Sequence, residues 1–232
     1  QPGQVLEFFS DLVQFNGFKL NAAGTLFGGK KFWATATVGK TTSPVAGDEV
    51  NGQLLLVSSA DGTSKTVAKF ASTRTVCNNT LTVALGESSK KAVSKTHRAM
   101  WNPEEVKLDM GLIDAGWETF AANLKKLSEV ELKDNFVMNY FQNKFYDPKV
   151  EIEKQTWGAV KKVNTLMGLY KNGTGAEYSK GTAWGVVNAV TELGTHGTRE
   201  KQDPSRRFWE SAFGANDTMK SEVYDDMVAL LA

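Results

Sequence analysis

Hydrophobic residues in the first third of the chain fall mostly into short alternating runs punctuated by glycine, whereas in the second half they recur at three- and four-residue intervals. Val5, Leu6, Phe8, Phe9, Leu12 and Val13 form a helical stripe closed by Asn16-Gly17, so residues 2–16 are predicted to form a short amphipathic helix. Residues 18–27, the Gly28-Gly29 pair and residues 30–38 predict a hairpin, because paired glycines reach the positive dihedrals that tight turns demand, and Lys30 and Lys31 then sit at its tip. A loop is expected over residues 39–52, followed by a second hairpin of residues 53–60 and 65–76 joined through Asp61-Gly62-Thr63-Ser64. The run at 80–85 reads as a short helix or a further strand, and 90–101 as a loop or an edge strand.

From Asn102-Pro103 onward the period changes. Val106, Met110, Ile113, Trp117, Phe120 and Leu124 mark a long helix. Ser128-Glu129-Val130-Glu131 has the spacing of a capping box, which places a helix carrying Leu132, Phe136, Tyr140 and Phe141 behind it. Further helices are expected over 148–170, 181–193, 203–213 and 216–231, several with proline near the start or glycine after the end. The fold class is therefore α+β: N-terminal antiparallel β-hairpins forming a curved sheet, then a mostly helical C-terminal half. Residues 1–101 make a basic β-rich region with an N-terminal helix, and 102–232 a helical region packed with it as one continuous unit. No repeat or long polar linker divides them.

Composition adds limits rather than an identity. A chain of 232 residues, 41% hydrophobic and 23% charged, can bury a sizeable core. Its apolar runs are far shorter than the roughly 20 residues that cross a bilayer, so no membrane span is expected. The lone Cys77 excludes an internal disulfide and fits a reducing compartment, the cytoplasm of a bacterial host. Gln1 is not a natural start, and the expectation is a chain lacking its authentic beginning. The net charge of +1 hides an asymmetry: residues 1–101 carry nine Lys and two Arg against six acids, or +5, which leaves 1 − 5 = −4 for the remainder. Lys65, Lys69, Arg74, Lys90, Lys91, Lys95 and Arg98 face a single intervening acid, Glu87, and such a cluster is an electrostatic footprint for phosphate.

Residues 67–85 hold the densest set of candidate features. Lys65 and Lys69 share a strand face by parity, and Arg74 joins them only if a bulge near Ser72 shifts the alternation. Asn78 and Asn79 can cap a helix or hold a turn, and the segment reads as a strand entering a helix. Catalytic chemistry finds little support. His97 and His196 lie in no metal-ligand spacing, Cys77 following Val76 reads as a buried small residue more readily than as a nucleophile, and Gly28-Gly29-Lys30-Lys31 lacks the spacing of a nucleotide-binding loop. Glu104-Glu105 and Asp225-Asp226 are adjacent helical pairs that splay apart. No catalytic residue, metal or cofactor is assigned. Among aromatics, Phe32 and Trp33 point to opposite faces, which leaves Trp33 or Trp101 as a stacking platform for bases.

Arg74-Thr75-Val76-Cys77-Asn78-Asn79-Thr80-Leu81 with Ala84-Leu85, then Gly181-Thr182-Ala183-Trp184 with Asn188-Ala189-Val190-Thr191-Glu192, together with Gly28-Gly29 and Phe32-Trp33, resemble a phage and plasmid family known as domain of unknown function 932. The resemblance implies a mobile-element setting and, more weakly, kinship with the ring-forming single-strand annealing proteins of the RecT, Erf and Redβ class. It carries no reaction and no assigned site residues.

The leading expectation is a non-enzymatic, oligomeric protein, as a ring or filament, that binds single-stranded DNA and anneals it during phage or plasmid recombination. Lys65, Lys69, Arg74, Lys90, Lys91, Lys95 and Arg98 are the candidate backbone contacts, with Lys30, Lys31 and Trp33 beside them; these come from charge and position. The alternatives are a structural or host-interaction protein of a mobile element and, more weakly, a metal-dependent DNA-processing enzyme.

Overall fold

The computed structural model describes residues 10, 18–60, 62, 65–82, 93–95, 103–197 and 203–231, with the backbone alone at 93–95 and 103–114. The helix expected over 2–16 lies, apart from Ser10, outside the described residues, as do Lys90, Lys91, Arg98 and Trp101.

The class is α+β, and the strands form one antiparallel sheet. Strands β1 (Lys19–Leu26), β2 (Lys31–Val45), β3 (Asp48–Ser59) and β4 (Thr66–Arg74) are neighbours in chain order. Two short strands share the outer edge of β4: β5 (Asn79–Thr82) pairs with Ala71–Arg74, and β6 (Val93–Lys95) with Thr66–Ala68. The first turn is as predicted, with Phe27, Gly28 and Gly29 all at positive φ between paired Leu26 and Lys31.

The loop expected over 39–52 is strand. β2 runs on to Val45 and returns as β3 from Asp48, absorbing its breaker residues as register shifts between Thr37 and Thr41 and between Thr42 and Val45. Gly39, at φ +71°, sits in the first of these irregularities, where a bulge bends a strand without ending it. The junction after β4 is likewise strand to strand and not strand to helix. Asn78 takes the left-handed conformation (φ +52°) and donates its N–H to the Arg74 carbonyl at 2.8 Å, so it closes a turn instead of capping a helix.

Six α-helices follow among the described residues: α1 (Pro103–Glu129), α2 (Asp134–Phe145), α3 (Trp157–Asn172), α4 (Ala183–His196), α5 (Pro204–Phe213) and α6 (Ala215–Ala229). The Ser128 capping box does not form. Ser128 belongs to the last turn of α1, its hydroxyl donating to the Lys125 carbonyl, and α2 begins after Lys133 with no side-chain cap. The helix expected from 148 begins at Trp157, behind the Thr156 cap that accepts from the Ala159 N–H.

Helices cover both faces of the sheet. Leu54, Leu56 and Phe70 meet α1, with Phe70 edge-on to Trp117 at 5.8 Å, and the same apolar cluster continues through Phe120, Val137, Phe141, Leu166, Val187 and Met227. On the other face Trp33, Leu55, Lys69 and Ala71 lie beneath α5 and the start of α6. Among the described residues no helix is long and apolar enough to cross a membrane.

Candidate nucleic-acid interface and the cleft beside it

Sheet register gathers some of the candidate cations and removes others. Lys31 pairs with Ser59 across β2 and β3, the Ala60 N–H donates to the Lys30 carbonyl at 2.9 Å, and Ser58 and Thr66 hydroxyls meet at 2.9 Å across β3 and β4. Thr66 is paired with Lys95 of β6. Lys30 and Lys31 at the start of β2, Lys65 just before β4 and Lys95 on β6 therefore stand at one end of the sheet, with β3 between the first pair and Lys65. Lys30 and Lys65 are exposed, and the Lys31 ammonium lies 4.6 Å from the Trp209 ring centroid.

Arg74 does not join them. β4 pairs with β3 in unbroken register from Val50–Arg74 to Val57–Val67, so the bulge near Ser72 is absent and Arg74 points to the face opposite Lys69. There it is 2% exposed and forms a bidentate pair with the fully buried Asp48, Nε to Oδ1 at 2.5 Å and Nη2 to Oδ2 at 2.9 Å. Its Nη2 also donates to the Gly175 carbonyl at 2.8 Å, where φ is +77° and a side chain would press on the guanidinium.

Lys69 is also internal. It is 5% exposed, and its ammonium donates to Asp217 Oδ2 and to the Ala212 carbonyl and lies 5.1 Å from the Phe213 ring. Trp33 is half-buried, its ring 4.8 Å from that of Phe208 and packed against Gly24, so its position is structural rather than that of an open stacking platform. Lys69, Arg74 and Trp33 thus leave the expected groove for one reason: each meets a partner distant in sequence.

Between sheet and helices lies a cleft of about 410 Å³ lined from seven segments, four strands and three helices, including Leu55, Lys69, Thr82, His196, Arg207 and Lys220. Asp217 spends one oxygen on Lys69 and the other on Thr82, whose hydroxyl donates at 2.7 Å. Lys220, 1% exposed, donates to the Ser211 carbonyl at 2.8 Å and approaches the Ser211 and Thr80 hydroxyls at 3.3 Å. Its aliphatic chain crosses α4 at Gly194, where a Cβ would stand 3.0 Å from Cγ and Cδ. Burial lowers the Lys220 pKa to about 8; the Asp217 charge opposes that shift and Lys69 adds to it.

The two motif blocks meet at a third place. Trp184, near the start of α4, donates its indole N–H to Asp48 Oδ2 at 2.8 Å, and Asp48 is the partner of Arg74. Thr182 caps α4 by accepting from the Gly185 N–H, and His196 Nε2 lies 2.9 Å from the Cys77 carbonyl oxygen. The model of a family described as domain of unknown function, DUF932, matches residues 1–221. The chain belongs to that family. No curated protein and no solved structure matches it.

In this DUF932 chain the Arg74, Asp48 and Trp184 node ties the sheet to the helical half, which is a stabilising task. His196 meets the carbonyl of Cys77 and not its thiol, and burial raises the thiol pKa against the lowering influence of the Asn79 backbone and Arg74, so a nucleophilic thiolate is disfavoured. Sequence reasoning missed Asp48, Asp217 and Lys220, and it missed Arg206 and Arg207, which adjoin Ser205. The Ser205 hydroxyl accepts from the Phe27 N–H at 3.0 Å and brings the start of α5 to the first turn. The string Arg206-Arg207-Phe208-Trp209 was the available signal, a cationic pair leading into aromatics.

Proposed function

We propose that the chain is a non-enzymatic, homo-oligomeric protein that binds single-stranded DNA and promotes its annealing in phage or plasmid recombination, acting in the bacterial cytoplasm. Kinship with the RecT, Erf and Redβ class is part of this proposal. The observation that carries it is the register that sets Lys30, Lys31, Lys65 and Lys95 along one end of the sheet. Lysines gathered at one end of a sheet suit a phosphate backbone, which is held by charge and leaves the bases free to sample a complement. Such binding consumes no nucleotide and needs no metal. Lys90, Lys91 and Arg98 flank β6 in sequence and extend the proposed contact set. Arg206, exposed at the start of α5, adds a cation from the helical half.

Sizing the purified protein with and without an oligodeoxythymidylate tests the reading. Formation of a larger species that contains the oligonucleotide and dissolves as salt is raised is the expected result. A species unchanged by the oligonucleotide at low salt would instead favour a structural or host-interaction protein whose basic end meets an acidic partner protein. Divalent-metal-dependent cleavage of the oligonucleotide would favour a DNA-processing enzyme.

A further inference from the structure

The cleft between the sheet and α5 and α6 contains more positive charge than its own acid balances. Lys69, Arg207 and Lys220 line it, and Asp217 is the one carboxylate among the lining residues. Both Asp217 oxygens are taken, one by Lys69 and one by Thr82. The Lys220 ammonium is surrounded by neutral oxygens alone, those of Ser211 and Thr80, and forms no ion pair among the described residues. Half-buried Arg207 likewise pairs with no carboxylate among the described residues. A buried ammonium whose nearby carboxylate, Asp217, is already paired with Lys69 is costly, and an anion in the cleft would lower that cost.

The remaining wall limits what the anion can be. Leu55, Ala71 and Phe208 present an apolar surface, with Thr35 and Gln53 as neutral polar groups beside it, and exposed Pro204 and His196 stand at its margin. A volume of about 410 Å³ is far larger than an inorganic anion requires and falls within the range for small-molecule sites. We propose that this cleft binds a small organic anion, its negative head taken by Arg207 and Lys220 and its flat apolar body lying against Leu55, Ala71 and Phe208. The head displaces one of the two long Lys220 contacts, to Thr80 or to the Ser211 hydroxyl, both 3.3 Å. The site lies on a sheet face, apart from the lysines at the sheet end, and stands whether or not the chain binds DNA.

Titration calorimetry and thermal melting with benzoate, thymidine 5′-monophosphate and inorganic phosphate test it on the full chain. At least one of the two organic anions is expected to bind saturably and more tightly than inorganic phosphate, and the preference between them identifies a carboxylate or a phosphate head. Arg207→Gln, on the half-exposed side of α5, and Lys220→Met, which keeps the chain length without the charge, should each weaken that binding roughly tenfold or more. The inference is overturned if neither organic anion binds saturably, if inorganic phosphate binds as tightly as both, or if Arg207→Gln binds like the parent protein. That last comparison holds even if Lys220→Met does not fold.

Discussion

Arg74 and Asp48 form a bidentate ion pair sealed from solvent, with the Trp184 indole N–H as a third member. Removing one partner leaves the other charge buried alone. Asp48→Asn should destabilise the fold by about 3 to 5 kcal/mol, measured by denaturant unfolding. Asp48→Leu combined with Arg74→Met should recover much of that loss, because no unpaired charge remains. A loss under about 1 kcal/mol in the single variant would show that the pair does not join sheet to helices.

Lys220 should make stability rise at alkaline pH. Its pKa falls from 10.5 to about 8 on folding, so between those values the unfolded chain holds more protons and stability increases with pH. Relative to Lys220→Met, the parent protein should gain about 3 kcal/mol from pH 8 to 10.5, a comparison in which other titrating groups cancel. A constant difference across that window would contradict the burial of a protonated ammonium.

Cys77 should resist thiol reagents in the folded protein. It is 8% exposed and its thiol pKa is raised chiefly by burial. Labelling by an aromatic disulfide near pH 8 should be roughly a hundredfold slower than in denaturant. Rapid stoichiometric labelling of folded protein would reopen nucleophilic chemistry at this position.

The periodic signals in the sequence reach the first hairpin, α1, α4 and α5, where local preference and tertiary packing agree. They fail at residues 39–52 because Gly39 and Pro44 look like loop punctuation and are absorbed by irregularities within a long hairpin. They fail at Ser128 because its hydroxyl finds the Lys125 carbonyl within its own helix. Charge was legible, and its partners were not. Lys69 meets Asp217 from 148 positions away and Arg74 meets Asp48 from 26, so two cations that read as a DNA-facing surface are internal. The lysines at the sheet end became a set only through register, which links residues as distant as Lys31 and Lys95 through four strands.

The salt dependence of single-stranded DNA binding, compared between the parent protein and Lys30→Ala/Lys65→Ala/Lys95→Ala, tests the proposed interface most directly. Loss of three phosphate contacts should weaken binding and flatten the slope of log affinity against log salt by about 2, with the melting temperature little changed. Equal affinity and equal slope in the two proteins would contradict a DNA-binding role for this end of the sheet.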